Sequence, residues 1–310
     1  MAYSLIIALI LSLLSLLSLW AIERSVGVGW DFHVDSVHYI RDGPEVFNDL
    51  SLISSGYYLV LYLLGFNKNI VILANCLMYV LTNWIAMALI GGRGAAGKVS
   101  VWFLIFLLNP YRIHLALTPL KETLLIFCIA LTFYMPRLLP INMLLSFHIR
   151  PASLVYFNWL FMKRSVALFV LALAGGALAL TMSDFIISTL ERSASVNLVT
   201  RSWDNVPHFQ QYGIFGNFIR GLLWPLLLLS GAFFFISPAP IFFIILFSTA
   251  PALWFVTRRA SLGSALGVFC SLGVIAVIVP GFTSYVRYVF PIIATVYLYP
   301  LRHSRRENKR

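Results

Sequence analysis

The first segment of this sequence that could do chemistry is acidic and lies between residues 30 and 39 (WDFHVDSVHY). If this segment is helical, Asp31, Asp35 and His38 share one face, because residues three and four apart align on a helix. Two carboxylates and a histidine at a membrane surface could serve as a general base, as metal ligands or as clamps for sugar hydroxyls. The alternative is a solvated amphipathic helix that its aromatic side chains, Tyr39 among them, anchor to the membrane.

A second segment, residues 109–122, combines two prolines with five ionisable groups. Arg112 and Lys121 could neutralise a phosphate, and Glu122 could orient one of them. His114 lies between these cations, in a stretch otherwise apolar enough to cross a membrane. The alternative is a loop between two helices whose charges simply reach water.

Two further segments place an arginine where an apolar run breaks or begins. Arg150 stands beside the helix-breaking Pro151 in the middle of the run 141–162, and an arginine at such a break could bind an anionic ligand. The alternative is that the neighbouring His148 is a core histidine with its hydrogen bonds satisfied and that the segment has no ligand. Arg287 and Tyr288 precede the last apolar run. The alternative for this last pair is a belt of anchoring tyrosines with a snorkelling arginine.

The elements that must position these residues are membrane helices. Hydrophobic residues make up 60% of the 310 residues, charged residues only 11%, and the mean hydropathy is +0.89. A soluble domain carries about 25% charged residues, and a membrane helix needs roughly 20 apolar ones. The long continuous apolar runs favour helices over a barrel of alternating strands. The sequence therefore predicts an all-α polytopic membrane protein with about ten or eleven transmembrane helices.

The predicted organisation is a single transmembrane domain over residues 1–310, with external loops at 23–51 and 183–221. At least one candidate span is expected to be re-entrant or interfacial, since several are short or interrupted. The candidate spans are 3–22, 52–66, 70–91, 100–117, 121–135, 141–162, 166–182, 222–236, 241–257, 264–280 and 286–301.

Charge distribution predicts the orientation. The formal net charge is +11, and residues 302–310 hold five of the 22 lysines and arginines, which places the C-terminus in the cytoplasm. Six of the 11 acidic residues fall between residues 23 and 49, which we assign to the external side. Basic loops orient any helical membrane protein, so we expect no nucleic acid partner. No GxSxG, HExxH, P-loop or paired-cysteine motif favours a hydrolase, protease or ATPase.

Four motifs, taken in order, resemble those of GT-C type glycosyltransferases, polytopic enzymes that use polyprenyl-phosphate-linked sugars. An acidic motif follows the first helix, where Ser36 replaces the second acidic residue of the family's common Asp-Glu-x-x-Tyr form. The motifs are Asp35-Ser36-Val37-His38-Tyr39, Ser55-Gly56-Tyr57-Tyr58 leading to Leu64-Gly65-Phe66-Asn67, Asn109-Pro110 through Lys121-Glu122, and Arg287-Tyr288 with Pro291. The layout is also similar to that of Wzy-type repeat-unit polymerases.

This resemblance implies transfer of a sugar or oligosaccharide from a polyprenyl-phosphate or pyrophosphate donor to a glycan acceptor of a bacterial surface polysaccharide. The enzyme would lie in the inner membrane, with its active site facing the periplasm or exterior. Asp35 would be the catalytic base and Asp31 its neighbour. No cofactor is required, although the acidic loop could bind a divalent cation. The substrate-binding residues would be His38, Tyr39, Arg112, His114, Lys121, Glu122, Arg150, Arg287 and Tyr288.

Three other functions stay open from the sequence: a Wzy-type polymerase of oligosaccharide repeat units, a flippase or transporter of lipid-linked sugars, and a non-catalytic membrane subunit. A transporter often carries inverted repeats, and none is visible here. A scaffold would not need the acidic segment.

Overall fold

The structure is a computed structural model that describes residues 2–48, 56–90, 101–157, 206–207, 209–236, 240–259, 262–279 and 281–307. Every regular element in these ranges is helical, and they contain no strand. The prediction of an all-α protein is therefore confirmed for this part of the chain. The predicted span 166–182 lies outside the described residues, as does most of the predicted loop 183–221.

The helices follow one another with short connections. Their bounds are α1 Ala2–Ser25, α2 Val34–Arg41, α3 Gly43–Asn48, α4 Gly56–Leu63, α5 Lys68–Ile90, α6 Val101–Leu107, α7 Pro110–Ala116, α8 Glu122–Tyr134, α9 Leu139–Ile149, α10 Gly213–Ser230, α11 Phe233–Ile236, α12 Pro240–Arg259, α13 Leu262–Ile278 and α14 Phe282–Glu307. Short 3-10 turns cover Pro136–Leu138, Pro151–Phe157 and Gln210–Tyr212.

Three of the described helices are long and apolar enough to cross a membrane: Ile6–Ser25 in α1, Lys68–Ile90 in α5 and Gly213–Ser230 in α10. Large apolar side chains on α1 are exposed, Leu17 at 63% and Leu14 at 54%, as a helix facing lipid requires. These helices support a membrane protein. The count of ten or eleven crossings stays a prediction.

Several predicted boundaries are wrong. Of the predicted span 52–66 the structure describes residues 56–66, and there the helix α4 ends at Leu63, three residues before the predicted end. The predicted span 100–117 breaks between α6 and α7, where the Asn109 side chain accepts a hydrogen bond from the Arg112 amide (3.1 Å) and Pro110 opens the new helix. The loop 23–51 contains α2 and α3 and the end of α1, and the loop 183–221 ends where α10 begins at Gly213.

The chain forms two compact units. Unit 1 comprises Met1–Leu154 and Ala294–Arg310, and unit 2 comprises Val155–Ile293. In unit 2, α10 and α13 approach closely at Gly221 and Gly273, since a Cβ on Gly273 would lie 2.8 Å from the Gly221 carbonyl oxygen. Small residues permit this close crossing of apolar helices. The prediction of one transmembrane domain over residues 1–310 stays a prediction.

Polar side chains join the helices at the centre of unit 1. The Asn83 amide donates to the Ser12 hydroxyl oxygen (2.9 Å), and Ser12 donates to the Ala8 carbonyl (2.6 Å). Tyr79 donates to the Leu107 carbonyl (2.5 Å) and lies 3.0 Å from the Ser15 hydroxyl. Such hydrogen bonds fix the register of α1 against α5 in an apolar environment.

Two local features determine where α4 begins and ends: a close contact at Gly56 and a turn at Gly65-Phe66. Gly65 and Phe66 adopt φ values of 63° and 50°, and the Asn67 side chain then caps α5 by accepting from the Asn69 amide (3.0 Å). At the other end of α4, a Cβ on Gly56 would lie 2.8 Å from the His148 carbonyl carbon, so only glycine permits this contact with α9. These features account structurally for the second motif of the sequence.

Candidate functional site

The acidic helix α2 turns Asp35 and Tyr39 toward the same side, since they are four residues apart. The helix begins only at Val34, so Asp31 lies outside it and turns back toward Gly29. His38 pairs with Asp42 at the surface, and 60% of its side chain is exposed. The expectation that Asp31, Asp35 and His38 share one helical face is therefore wrong for Asp31.

Tyr39 connects α2 to α4. Its buried ring meets those of Tyr57 and Tyr58 edge-on, with centroids 4.9 Å and 5.7 Å away. Burial, and then the carboxylates of Asp35 and Asp42, raise the pKa of the Tyr58 phenol. The Asp35 carboxylate is therefore near Tyr58.

Lys121 reaches the same place from the start of α8. Its Nζ lies 5.5 Å from the centre of the Tyr39 ring. The turn before it is held by Asn75, whose amide nitrogen donates to the carbonyls of Thr118 (2.7 Å) and Leu120 (3.1 Å). A buried asparagine of α5 therefore holds the turn that carries this cation.

Glu122 and Arg150 form a buried ion pair beside these aromatic rings. Arg150 Nη2 donates to Glu122 Oε1 over 2.5 Å, and both side chains are at most 3% exposed. Burial, followed by the Glu122 carboxylate, raises the pKa of the Tyr57 phenol well above its usual range. The break at Arg150-Pro151 is confirmed, because α9 ends at Ile149 and a 3-10 turn follows.

We call this set of residues the tyrosine cluster. It unites a half-exposed carboxylate, three phenols, one cation beside an aromatic face and one buried ion pair. Its members are Asp35, Tyr39, Tyr57, Tyr58, Lys121, Glu122 and Arg150. Three sequence segments predicted to hold site residues, 31–39, 109–122 and 148–151, each contribute to it. Such a cluster could accept a proton, bind hydroxyls and offset the charge of a phosphate.

A second group, the histidine cluster, joins Glu23, His114 and His33. The Nδ1 atom of His114 lies 2.7 Å from Glu23 Oε1, and its Nε2 lies 2.9 Å from His33 Nε2. Phe32 packs edge-on against both imidazoles, at centroid distances of 5.2 Å and 5.8 Å. The Glu23 carboxylate can only accept from His114 Nδ1, whereas either imidazole can donate in the contact between His114 and His33.

The sequence reasoning included His114 but missed Glu23 and His33 as partners. Glu23 lies in the last turn of the apolar helix α1, and 91 residues separate it from His114. The signals available were a carboxylate beside a predicted membrane span and a histidine inside another. Neither signal pairs the two residues.

Arg112 belongs to neither cluster. Its guanidinium donates to the carbonyls of Phe106 (2.7 Å) and Tyr79 (3.3 Å) and to the Asn83 side-chain oxygen. It also lies over the rings of Phe106 and Tyr79, at 3.9 Å and 4.4 Å. These contacts hold α5, α6 and α7 together, and they favour an architectural role over the predicted phosphate contact.

Arg287 and Tyr288 lie in unit 2. Arg287 is 3% exposed, and its guanidinium carbon lies 5.4 Å from the centre of the Tyr288 ring. The sequence reasoning gave no site role to a second buried cation of this unit, Arg220, which donates to the Asn217 side chain and lies 5.2 Å from the Trp224 ring. The predicted substrate contacts of Arg287 and Tyr288 stay predictions.

In the described ranges, no three His, Cys, Asp or Glu side chains form a group that could hold a metal ion. The tyrosine cluster offers Asp35 and Glu122, and the latter carboxylate already pairs with Arg150. A divalent cation in the acidic segment stays a prediction.

No protein-family model, curated protein or solved structure shows significant similarity to this chain. The geometry of its own residues therefore carries the functional argument. The resemblance to GT-C glycosyltransferases and Wzy-type polymerases stays a prediction.

Proposed function

We propose that this protein is a membrane glycosyltransferase that takes a sugar or oligosaccharide from a polyprenyl-phosphate-linked donor, with the tyrosine cluster as its active site. The observation that carries the proposal is that the Tyr39 ring packs against Tyr57 and Tyr58 and lies 5.5 Å from Lys121 Nζ. Asp35 is close enough to raise the pKa of Tyr58, and Glu122, the partner of Arg150, does the same for Tyr57. Asp35, Lys121 and Arg150 come from segments that are up to about 115 residues apart in the sequence. Such charges in a membrane protein usually serve a ligand.

In the proposed reaction, an acceptor hydroxyl attacks the anomeric carbon of the donor sugar. The Asp35 carboxylate takes the hydroxyl proton, the new C–O bond forms, and the bond from the anomeric carbon to the phosphate oxygen breaks. The lipid phosphate leaves with the electron pair. A single displacement of this kind inverts the anomeric centre.

The cations have distinct roles in this reaction. Lys121, half-buried and beside an aromatic ring, is suited to the developing phosphate charge, and preplaced cations are often the largest catalytic contribution. The charge of Arg150 is neutralised by its ion pair with Glu122. A ligand phosphate could compete with this carboxylate and bind Arg150 as a second cation. Phenols from Tyr57 and Tyr58 would bind sugar hydroxyls.

The proposal extends to the setting of the site. A GT-C-like bundle of ten or eleven helices in a bacterial plasma membrane would put α2 on the external face and the C-terminus in the cytoplasm. The acceptor would then be a surface glycan, and polymerisation of repeat units is the same chemistry with a longer donor.

A second candidate function is proton-coupled movement of a lipid-linked sugar, which the histidine cluster favours. A carboxylate and two imidazoles within hydrogen-bonding distance can pass protons along a chain, and such chains occur in pumps and transporters.

The two functions are separated by reconstituting the protein in proteoliposomes with a fluorescent polyprenyl-phospho-sugar on the outer leaflet and a glycan acceptor in the outer solution. A transferase forms a glycosylated acceptor with release of the lipid phosphate, whatever the pH gradient. A carrier moves the intact donor to the inner leaflet and responds to the gradient. Transport of intact donor without product formation would overturn the transferase proposal.

A further inference from the structure

A cavity of about 310 Å³ lies where α1 ends and α5 begins, and the tyrosine cluster contributes no side chain to it. This volume is within the range of small-molecule sites. The charged side chains of its wall are Glu23, Arg24 and Lys68.

One part of the cavity is cationic and aromatic. The Arg24 guanidinium carbon lies 5.9 Å from the centre of the Trp20 ring, and Lys68 Nζ lies 5.0 Å from that of Trp30. The acidic residue of the wall, Glu23, is engaged through Oε1 with His114. The cavity wall therefore contains two cations and one carboxylate, and this carboxylate is already hydrogen-bonded to His114.

The other part of the cavity is apolar. Ile72, Leu73 and Cys76 follow Lys68 along the first turns of α5, and Leu117 completes the wall. Leu73 is 69% exposed and Trp20 is 50% exposed. Both belong to helices long enough to span a membrane, so these exposed apolar surfaces would meet lipid.

The cavity wall is thus charged near Lys68, where α5 begins, and apolar farther along α5 toward Cys76. Arginine and lysine at the helix ends, each beside an indole, match the interfacial region of a bilayer, while the apolar wall continues along the acyl chains. An arginine fork is well suited to phosphate oxygens, and lysine adds a point charge. A ligand that fills both parts needs an anionic head and a hydrocarbon chain.

We infer that this cavity binds the phosphate-bearing head of a membrane amphiphile, with Arg24 and Lys68 on the phosphate and the chain along Ile72, Leu73 and Leu117. The inference does not depend on the proposed transferase activity, because it concerns binding at a different set of side chains. The same phosphate chemistry would also accept a free phosphate, and the apolar wall favours the amphiphile.

The test is binding of dodecyl phosphate to the purified full-length protein in nanodiscs, followed by calorimetry. Inorganic phosphate and a neutral alkyl glucoside with the same chain are run in parallel. We expect dodecyl phosphate to bind at least about tenfold more tightly than either. The double variant Arg24→Gln/Lys68→Gln should lose at least about tenfold in affinity, corresponding to one charge-assisted hydrogen bond.

The matched control is Arg41→Gln/Arg137→Gln, which removes two exposed cations of the same unit that do not line the cavity. It should bind dodecyl phosphate as the unmodified protein does. Equal loss in both double variants, or equal binding of the neutral glucoside, would overturn the inference. If inorganic phosphate bound as tightly as dodecyl phosphate, the ligand would be a soluble phosphate, and the inference of an amphiphile would be overturned.

Cys76 offers a second measurement that needs no change of charge. In a Cys128→Ser/Cys270→Ser background, it is the one remaining thiol of the chain. Bound dodecyl phosphate should slow its alkylation by a small maleimide at least about fivefold, whereas the neutral glucoside should not. Unchanged alkylation at a saturating concentration of dodecyl phosphate would contradict occupancy of the cavity.

Discussion

Unit 1 contains two arginines that are equally buried but differently engaged. Arg112 and Arg150 are each 3% exposed. The first donates to neutral oxygens, two backbone carbonyls and the Asn83 side chain, whereas the second donates to the Glu122 carboxylate. A cation bound by neutral acceptors, such as Arg112, links helices and serves the structure of the protein. A carboxylate partner forms an ion pair whose cation a ligand phosphate could share. Burial of a cation in an apolar chain therefore does not identify a site unless its acceptors are known.

The largest expected effect on stability comes from breaking the Glu122–Arg150 pair on one side. Glu122→Gln leaves a buried guanidinium uncompensated, and we expect a loss of about 3–5 kcal/mol in the free energy of unfolding. The double variant Glu122→Leu/Arg150→Met removes both charges and should recover most of that loss. Thermal unfolding of the purified protein in detergent measures both.

If the double variant were as unstable as the single one, the ion pair would not be the source of the loss. The transfer assay adds a further distinction, because we expect the recovered double variant to be folded yet impaired in activity.

Arg112→Lys should destabilise the protein by about 2–3 kcal/mol, because one ammonium cannot reproduce a fork that reaches several carbonyls. The folded fraction of this variant should keep normal kinetic constants, because Arg112 lies outside the proposed active site. Substitution of Arg150, which lies in that site, should change them. The matched control, Arg41→Lys at an exposed position, should leave the unfolding midpoint unchanged. A normal midpoint but a raised KM for Arg112→Lys would instead make Arg112 a ligand-binding residue.

Lys121→Gln should have the smallest effect on stability, below about 1 kcal/mol, because the substitution removes a cation–π interaction with the Tyr39 ring. Its effect on catalysis should be a decrease of about tenfold or more in kcat/KM for the lipid-linked donor, equivalent to losing one charge on the phosphate. Steady-state rates at varied donor concentration give the value. An unchanged kcat/KM would remove Lys121 from the site.

The sequence predicts correctly the helices whose apolar pattern is long and uninterrupted. The predicted span 70–91 is α5 to within two residues at each end, and Asn67 explains why this helix begins at Lys68. The break at Arg150-Pro151 was also predictable, since proline cannot continue a helix. The same reasoning applied to Asn109-Pro110 would have divided the span 100–117, because asparagine followed by proline is typical of a helix start.

The composition of the clusters was less predictable than the residues themselves. Asp35, Tyr39, Lys121, Glu122 and Arg150 were identified from their chemical types, but Tyr57 and Tyr58, which join them, stand in an apolar stretch with no ionisable neighbour to single them out as site residues. Glu23 and His33 were missed because their contacts with His114 depend on how α1 and the start of α2 pack against α7. Packing between distant segments leaves no periodic signal in a single sequence.

The most direct test of the central claim is the initial rate of glycosyl transfer by Asp35→Asn in proteoliposomes, with Glu45→Gln as the control for an exposed carboxylate. A positioned general base contributes about a hundredfold or more, so Asp35→Asn should lose at least that factor at normal protein levels while Glu45→Gln keeps the full rate. Asp31→Asn, outside α2, should lose less than Asp35→Asn. A rate for Asp35→Asn within about twofold of the unmodified protein would contradict the account.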